Sequence, residues 1–449
     1  MKIPLAVSRV GLMAILAGVL GLAASPVRAE TEAERIRALE QKLESSMQLI
    51  NKLANRIDEL EKGGKAVAAA PVASPVDEEQ SKTIARLQEN VNQLSTSVSK
   101  LGQDTGLPVH GFADVGAAWS SGDDPTKLRG FNGGTLDLYL TPQFGQRVKS
   151  LIELAVEYGT DGGVGLDMER LQLGYTISDS VTLWAGRFHT PFGLWNTSFH
   201  HGANLQTSIY RPRFIDFEDK GGIVPAHSVG LWASGKTKVG SDTLTYDAYL
   251  ANGPKITDRI LDFNAYTDSS ANKMVGGNLG YKPTGPLSGL VLGLHGFGST
   301  VDTTSGATVL SSTKVRMMGG YFGYDADDWE TIGEYYNFSN KPVTGGSSTS
   351  SNAWFVQVGK TFDAWTPFVR AERVSLSAGD NYFASQESGR SYHRAAVGAR
   401  YALDPKSSVK LELSRTSEKA SALLDANGNP ENLSAADYTR AAVQYSVAF

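Results

Sequence analysis

From about residue 107 onward the chain alternates apolar and polar residues in short runs. "TLDLYL" sets Leu136, Leu138 and Leu140 on one side and Asp137 and Tyr139 on the other. "SLIELAVEY" sets Ile152, Leu154, Val156 and Tyr158 against Glu153 and Glu157, and "RLQLGYTI" sets Leu171, Leu173, Tyr175 and Ile177 against Arg170, Gln172, Gly174 and Thr176. The last stretch, "ADYTRAAVQYSVAF", repeats it with Val447, Tyr445, Val443 and Ala441 against Ser446, Gln444, Ala442 and Arg440. Side chains on a strand alternate between faces, so each run predicts a strand with one greasy and one wet side. A dry sheet interior would not hold carboxylates and guanidiniums so regularly, whereas the lumen of a membrane barrel would.

Connections between these runs alternate in length. Short turns fall at "PQFGQR", "SDS", "KVGSD", "PTGPLSG", "DADD", "FDAW" and "LDPKS"; long polar loops fall at 120–132, 159–165, 189–225, 253–272, 299–312, 339–351, 377–390 and 418–434. Seven short and eight long connections join sixteen strands, and short turns on one side with long loops on the other are the habit of outer-membrane barrels. The expected fold is all-β: a 16-stranded antiparallel transmembrane β-barrel over 107–449. Phe449 then closes the last strand at the periplasmic interface, and Trp119, Trp184, Trp232, Trp329, Trp354 and Trp365 are candidates for the aromatic belts. A soluble β-sandwich explains the alternation equally well, but not the alternation of loop lengths.

A different period precedes the strands. Ile36, Leu43, Ile50 and Ile57 share one heptad position, and Leu39, Ser46, Leu53 and Leu60 another. After a Pro/Gly/Ala linker at 63–79, Ile84, Val91 and Val98 run against Leu87, Leu94 and Leu101. Such narrow seams predict an α-helical coiled coil over 30–106. The first residues, with Lys2 and Arg9 before an apolar run from Val10 to Ala24 and Val27-Arg28-Ala29 after it, predict a secretory signal peptide over 1–29. The coiled coil would then lie in the periplasm.

Composition narrows the chemistry. An exported chain with no cysteine has no disulfide framework. The formal charge of -5 becomes about -8 once the three basic residues of the signal are set aside, which argues against a nucleic-acid binder. There is no H-E-x-x-H, G-x-S-x-G or P-loop. His200 and His201 are adjacent and diverge on any regular element, and "DANGNP" carries Pro430 where a calcium loop needs its glycine. No catalytic residue, metal or cofactor is expected.

The third long loop, "HTPFGLWNTSFHHGANLQTSIYRPRFIDFEDKGGIVPAH", is the longest, and Phe192, Trp195, Phe199 and Phe214 give it too much aromatic surface for a tassel in water. It is expected to fold into the barrel and narrow the passage. "WAGRFHTPFGLWN", "YDAYLANGP" and the aromatic C-terminus resemble the trimeric porins of the phosphate-selective porin O/P and DcaP-like group. That resemblance implies a homotrimer of sixteen-stranded barrels with an inward third loop and, in several members, a periplasmic coiled coil. The seam composition favours two chains in isolated coiled coils, so the number of chains stays open. Phosphate-selective members line the pore with an arginine ladder and a lysine cluster. The matching inward positions here are Arg170, Arg370, Arg394, Arg400, Lys410 and Arg440, with Arg211, Arg213, Asp216, Glu218 and Asp219 in the loop. Glu153, Glu157, Glu372 and Glu412 share the lumen by the same parity, and the loop has no dense lysine cluster. These positions describe a general porin in the Gram-negative outer membrane, not an enzyme. Its partners would be membrane lipid and lipopolysaccharide outside, and small hydrophilic solutes or anions within. The alternative is a structural envelope protein that tethers the outer membrane through its coiled coil.

Overall fold

The computed structural model describes residues 109–158, 163–199, 203–262, 272–424 and 429–449. The signal peptide (1–29), the coiled coil (30–106) and its linker lie outside the described residues, as do His200, His201 and most of "DANGNP". Sixteen strands form the barrel among the described residues: β1 (Val109–Gly122), β2 (Thr135–Leu140), β3 (Val148–Tyr158), β4 (Val164–Ser178), β5 (Val181–His189), β6 (His227–Val239), β7 (Asp242–Asn252) and β8 (Lys273–Lys282), then β9 (Leu290–Ser305), β10 (Thr308–Ala326), β11 (Trp329–Pro342), β12 (Thr349–Lys360), β13 (Trp365–Ser375), β14 (Tyr392–Asp404), β15 (Ser407–Glu418) and β16 (Ala436–Ala448). Each pairs antiparallel with the next, and β16 returns to β1 from Phe112↔Ala448 to Gly122↔Tyr438. Closure leaves no free sheet edge. Phe449 sits at the seam, exchanging backbone hydrogen bonds of 3.0 and 3.1 Å with Gly111.

The alternation in sequence becomes inside and outside. Leu173, Leu231, Leu294, Met318, Val369 and Leu411 stand exposed on the outer face, where a soluble protein would bury them. Glu153, Gln172, Glu372 and Gln444 face inward. No helix among the described residues is long and apolar enough to cross a membrane. The seven short turns fall where the sequence places them. That between β10 and β11 is Asp327-Asp328, both at positive φ (52° and 64°), the geometry of a two-residue hairpin turn matched to strand twist.

The long connections are more structured than the sequence reading expects. The segment 299–312 is mostly strand, because β9 and β10 continue to a tight turn at Gly306. The 253–272 connection contains a small hairpin, Lys255–Thr257 against Ile260–Asp262, whose first strand lies parallel to the end of β9. Two of the expected belt tryptophans point into the lumen instead. Trp184 and Trp232, paired across β5 and β6, stack with ring centroids 5.6 Å apart, and their indole N–H groups donate to Ser234 and Asp247 at 3.0 Å. Trp119, Trp329 and Trp365 are exposed on the outside, as belts require.

Candidate functional site: the constricted lumen

The connection between β5 and β6 enters the barrel. Phe192, Trp195, Phe214, Ile215, Ile223 and Val224 are buried and form one cluster with Phe188, Tyr336, Phe338 and Phe355 of the wall. Trp195 meets Phe355 edge-on at 5.5 Å, and Phe214 meets Tyr336 at 5.1 Å. At about 1.5–3 kcal/mol per large apolar side chain removed from water, this burial gives the loop a reason to leave the mouth. A second short segment, the helix α1 (Asn381–Ala384) between β13 and β14, adds Tyr382 and Phe383 to the cluster, and the Tyr382 hydroxyl donates to the Ile223 carbonyl at 2.8 Å.

Polar bonds fix where the loop lies. Glutamates on the inner wall of β11, β13 and β15 accept from it in succession. The Leu194 N–H donates to Glu334 at 2.9 Å, and Gly193 N–H to His295 Nδ1 at 3.0 Å. Gly193 has φ 61°, and a Cβ there would collide with Glu334 and Tyr336, so the entry needs glycine. The Thr207 hydroxyl donates to Glu330 at 2.7 Å. The Ile209 and Tyr210 N–H groups share one oxygen of Glu412 at 2.9 and 3.2 Å, and Arg213 N–H meets Glu372 at 2.9 Å. The Arg213 side chain pairs with Glu418 and lies 4.9 Å over the Tyr392 ring.

The basic residues read from the sequence fall into three groups. Arg370, Arg394 and Lys410 point inward as parity requires, but the loop covers them: they are 2, 6 and 0 % exposed. Arg370 pairs with Glu372 at 2.9 Å and Glu412 at 3.4 Å and also donates to the Tyr210 carbonyl at 2.8 Å. Arg394 pairs with Glu412 at 3.2 Å, and Lys410 donates to the Ala203 carbonyl of the loop. The wall carboxylates hold the loop, the two arginines hold the carboxylates, and Lys410 holds the loop directly. Among the described residues the structure therefore forms no open arginine strip on this wall. Arg400 sits nearby, half-buried.

The loop's own charges form the second group. Arg211 bonds Asn196 at 2.9 Å and the Ile215 carbonyl at 2.9 and 3.1 Å, lies 4.3 Å over Phe217, and reaches Asp216 only at 3.9 Å. Burial pushes its guanidinium below the ordinary arginine value, against the pull of Asp216 and Glu218. Glu218 accepts from the backbone of Ala226 and His227, closing the loop's return to β6; burial raises its carboxyl, and the His227 side chain opposes that. Asp219 lies in the same turn, Glu218–Lys220.

Arg170 on β4 and Arg440 on β16 form the third. Arg440 is held by Asp124 of the first loop at 2.6 and 2.8 Å. Arg170 pairs with Glu153 and lies 5.5 Å from the Tyr139 ring. Here β4 bulges: Glu153 pairs with Arg170 but Leu154 pairs with Met168, so Glu169 is an extra residue. The bulge puts Glu169 beside His227 (2.9 Å) and Arg187 (3.5 Å), contacts its position in the alternation would not predict.

Between the first part of the loop and the wall of β4–β10 lies a cavity of about 290 Å³, lined by Arg170, Gln172, His189, Trp232, Asp247, Asn278, Lys282 and Tyr321 on the wall side and Pro191, Leu194, Thr197 and Ser198 on the loop side. Of the basic residues singled out from sequence, only Arg170 lines it. Asp247 accepts from Trp232 at 3.0 Å and from Asn278 at 3.3 Å. Asp247 and Lys282 sit in runs whose alternation does mark them as inward, but no charge cluster draws attention to them. Among the described residues no group of three or more His, Cys, Asp or Glu side chains is placed to hold a metal ion.

No family model matches the sequence, and no curated relative does. Among solved structures, the anion-selective porin from Comamonas acidovorans is similar at a TM-score of 0.53 and 16 % identity, over 77 % of this chain and 99 % of that one. The chain shares that porin's barrel fold. The outer membrane channel DcaP of Acinetobacter baumannii is more distant, with a TM-score of 0.47 at 12 % identity over 76 % of this chain and 97 % of its own.

Proposed function

We propose that this protein is an outer-membrane porin: a passive diffusion channel for small hydrophilic solutes, assembled as a homotrimer and carrying out no turnover chemistry. The observation that carries this reading is the third loop. It is folded inside a closed barrel and pinned to one wall, leaving a polar cleft against the other. Solutes would pass between Thr197 and Ser198 of the loop and the wall bearing Arg170, Asp247 and Lys282. Size exclusion comes from the loop. Charge selection is weak, because Arg370 and Arg394 are paired with carboxylates beneath the loop, Lys410 is covered there and bonded to loop carbonyls, and Arg440 is matched by Asp124.

A slight anion bias rests on Lys282, because Arg170 is paired with Glu153, and it is opposed by Asp247. Rings or strips of basic side chains favour anions, and here the strip facing the passage is short. Dedicated phosphate selectivity of the kind the O/P resemblance implies has little support in such a lining. Purified protein in planar bilayers should give discrete conductance steps, with a reversal potential across a salt gradient displaced modestly toward the anion side. A folded protein that never conducts would end the proposal.

A further inference from the structure

The outer face of β9–β11 carries charge where lipid contact would favour none. Lys314 on β10 stands directly across the ladder from Lys341 on β11, and Arg316 follows on the same face of β10. All three are exposed, and no ion pair or hydrogen bond engages their side chains among the described residues. Asp302, on the same face of β9 across from Ser312, is already taken by the Ser312 hydroxyl at 2.5 Å and the Asn272 amide at 3.0 Å. Like charges directly opposite on a sheet are destabilising, so this pair calls for an anion from outside the chain. Immediately toward the short-turn end the same face turns apolar: Met318, then Gly320, then Phe322. Around Gly320 lies a shallow groove of about 750 Å³ lined almost entirely by apolar atoms, with Leu279, Leu294, Phe322, Tyr335 and Trp354 on its walls. The groove exists because Gly320 and Gly333 lack side chains, and the Phe322 ring lies over Gly333.

We propose that this face binds a phosphorylated, acylated glycolipid of the outer leaflet, lipopolysaccharide in chemical class. Phosphates would sit on Lys314, Lys341 and Arg316, and an acyl chain would lie in the groove. A free phosphate would use the cations but has no need of the groove; the adjoining apolar channel is what selects a lipid. Juxtamembrane Lys and Arg attract anionic lipid at about 1 kcal/mol each. The site rests on the outer-membrane reading, but its residues face away from the lumen, so conductance reports on the pore separately.

The test is binding of diphosphoryl lipid A to the detergent-folded full-length protein by native mass spectrometry. Lys314→Glu creates a cross-strand ion pair with Lys341 instead of a repulsion, so the fold is not weakened while the cationic site is destroyed. Lipid A binding should weaken by about tenfold or more and conductance should stay unchanged. Gly320→Val, whose Cβ would stand 3.2 Å from the Gly293 carbonyl and 3.3 Å from Leu294, should weaken lipid A while leaving the cations in place. Dephosphorylated lipid A should bind poorly. Equal lipid A binding by wild type and Lys314→Glu would overturn the site. So would displacement of lipid A by inorganic phosphate, or a change of oligomeric state in Lys314→Glu with lipid binding intact, which would make the face a contact between copies.

Discussion

The two walls of the lumen use the same kinds of residue to opposite ends. On β11–β15, glutamates and arginines alternate at close range beneath the third loop, and Arg370, Arg394, Glu372 and Glu412 are spent on one another or on loop backbone. On β4–β8, Arg170, Asp247 and Lys282 stand around an open cleft; Arg170 is paired with Glu153, whereas Asp247 accepts from the neutral donors Trp232 and Asn278. A charged residue in a barrel lumen is therefore not by itself a filter. Whether it touches solutes depends on where the loop lands, and the loop lands where apolar burial and buried carboxylates together favour it.

The largest effect should come from removing a carboxylate beneath the loop. Glu412→Ala strips the loop of its bonds from Ile209 and Tyr210 and leaves Arg370 and Arg394 with Glu372 alone to share. Breaking a buried pair in this way costs about 3–5 kcal/mol. Unfolding in detergent should shift by that order, and single-channel records should show larger, noisier steps as the loop detaches. Next is Trp195→Ala, which empties the aromatic contact with Phe355. Large-to-small changes at buried aromatics cost about 3–5 kcal/mol, and because the loop can re-pack we expect the lower end, again with raised conductance.

Charge on the open wall should matter to ions rather than to stability. Lys282→Glu should move the reversal potential toward cations. A unit charge reversed roughly 8 Å from a passing ion in water changes the balance between signs by about 1–2 kcal/mol, several-fold in permeability ratio. The same reversal made under the loop would register as instability instead.

The smallest effect concerns acid. Although burial pushes it up, hydrogen bonds from Arg440 and Thr126 hold the Asp124 carboxyl well below the usual carboxylate range. Its folded value is lower than its unfolded value of about 3.9, so the stabilisation is complete above that pH and fades as pH falls through it toward the folded value. Arg440→Gln should flatten that acid limb of the stability profile, leaving neutral-pH conductance nearly unchanged. A limb of identical slope in both proteins would remove the pair from the account.

Much of the architecture was legible before any coordinates, for a physical reason. Strand parity and turn chemistry are local, so "RLQLGYTI" and "DADD" announce their own geometry. The aromatic load of the third loop, with Trp195 and Phe214, also announced burial. What the sequence could not show depends on distant registers. The extra residue at Glu169 arises only once β3 and β4 are paired, and it overrides simple alternation. Trp184 and Trp232 resemble belt residues until β5 is set against β6. Above all, the pairing of Arg370 and Arg394 with Glu372 and Glu412 under Tyr210 requires three strands and a loop that are far apart in the chain. Parity gave these arginines the correct side of the wall and said nothing about the cover over them. The segment 299–312 reads as a loop because it is rich in Ser and Thr, yet those residues also suit strands, and hairpin pairing decides.

The chain has no cysteine, so introduced thiols can ask directly which wall the passage follows. Asn278→Cys on the open wall and Ser414→Cys beneath the loop, each treated with a charged thiol reagent while current is recorded, test this most directly. The account predicts rapid reaction and a stepwise fall in conductance for Asn278→Cys, and an unreactive channel for Ser414→Cys. Prompt modification of Ser414→Cys with Asn278→Cys untouched would place the passage on the opposite wall and contradict it.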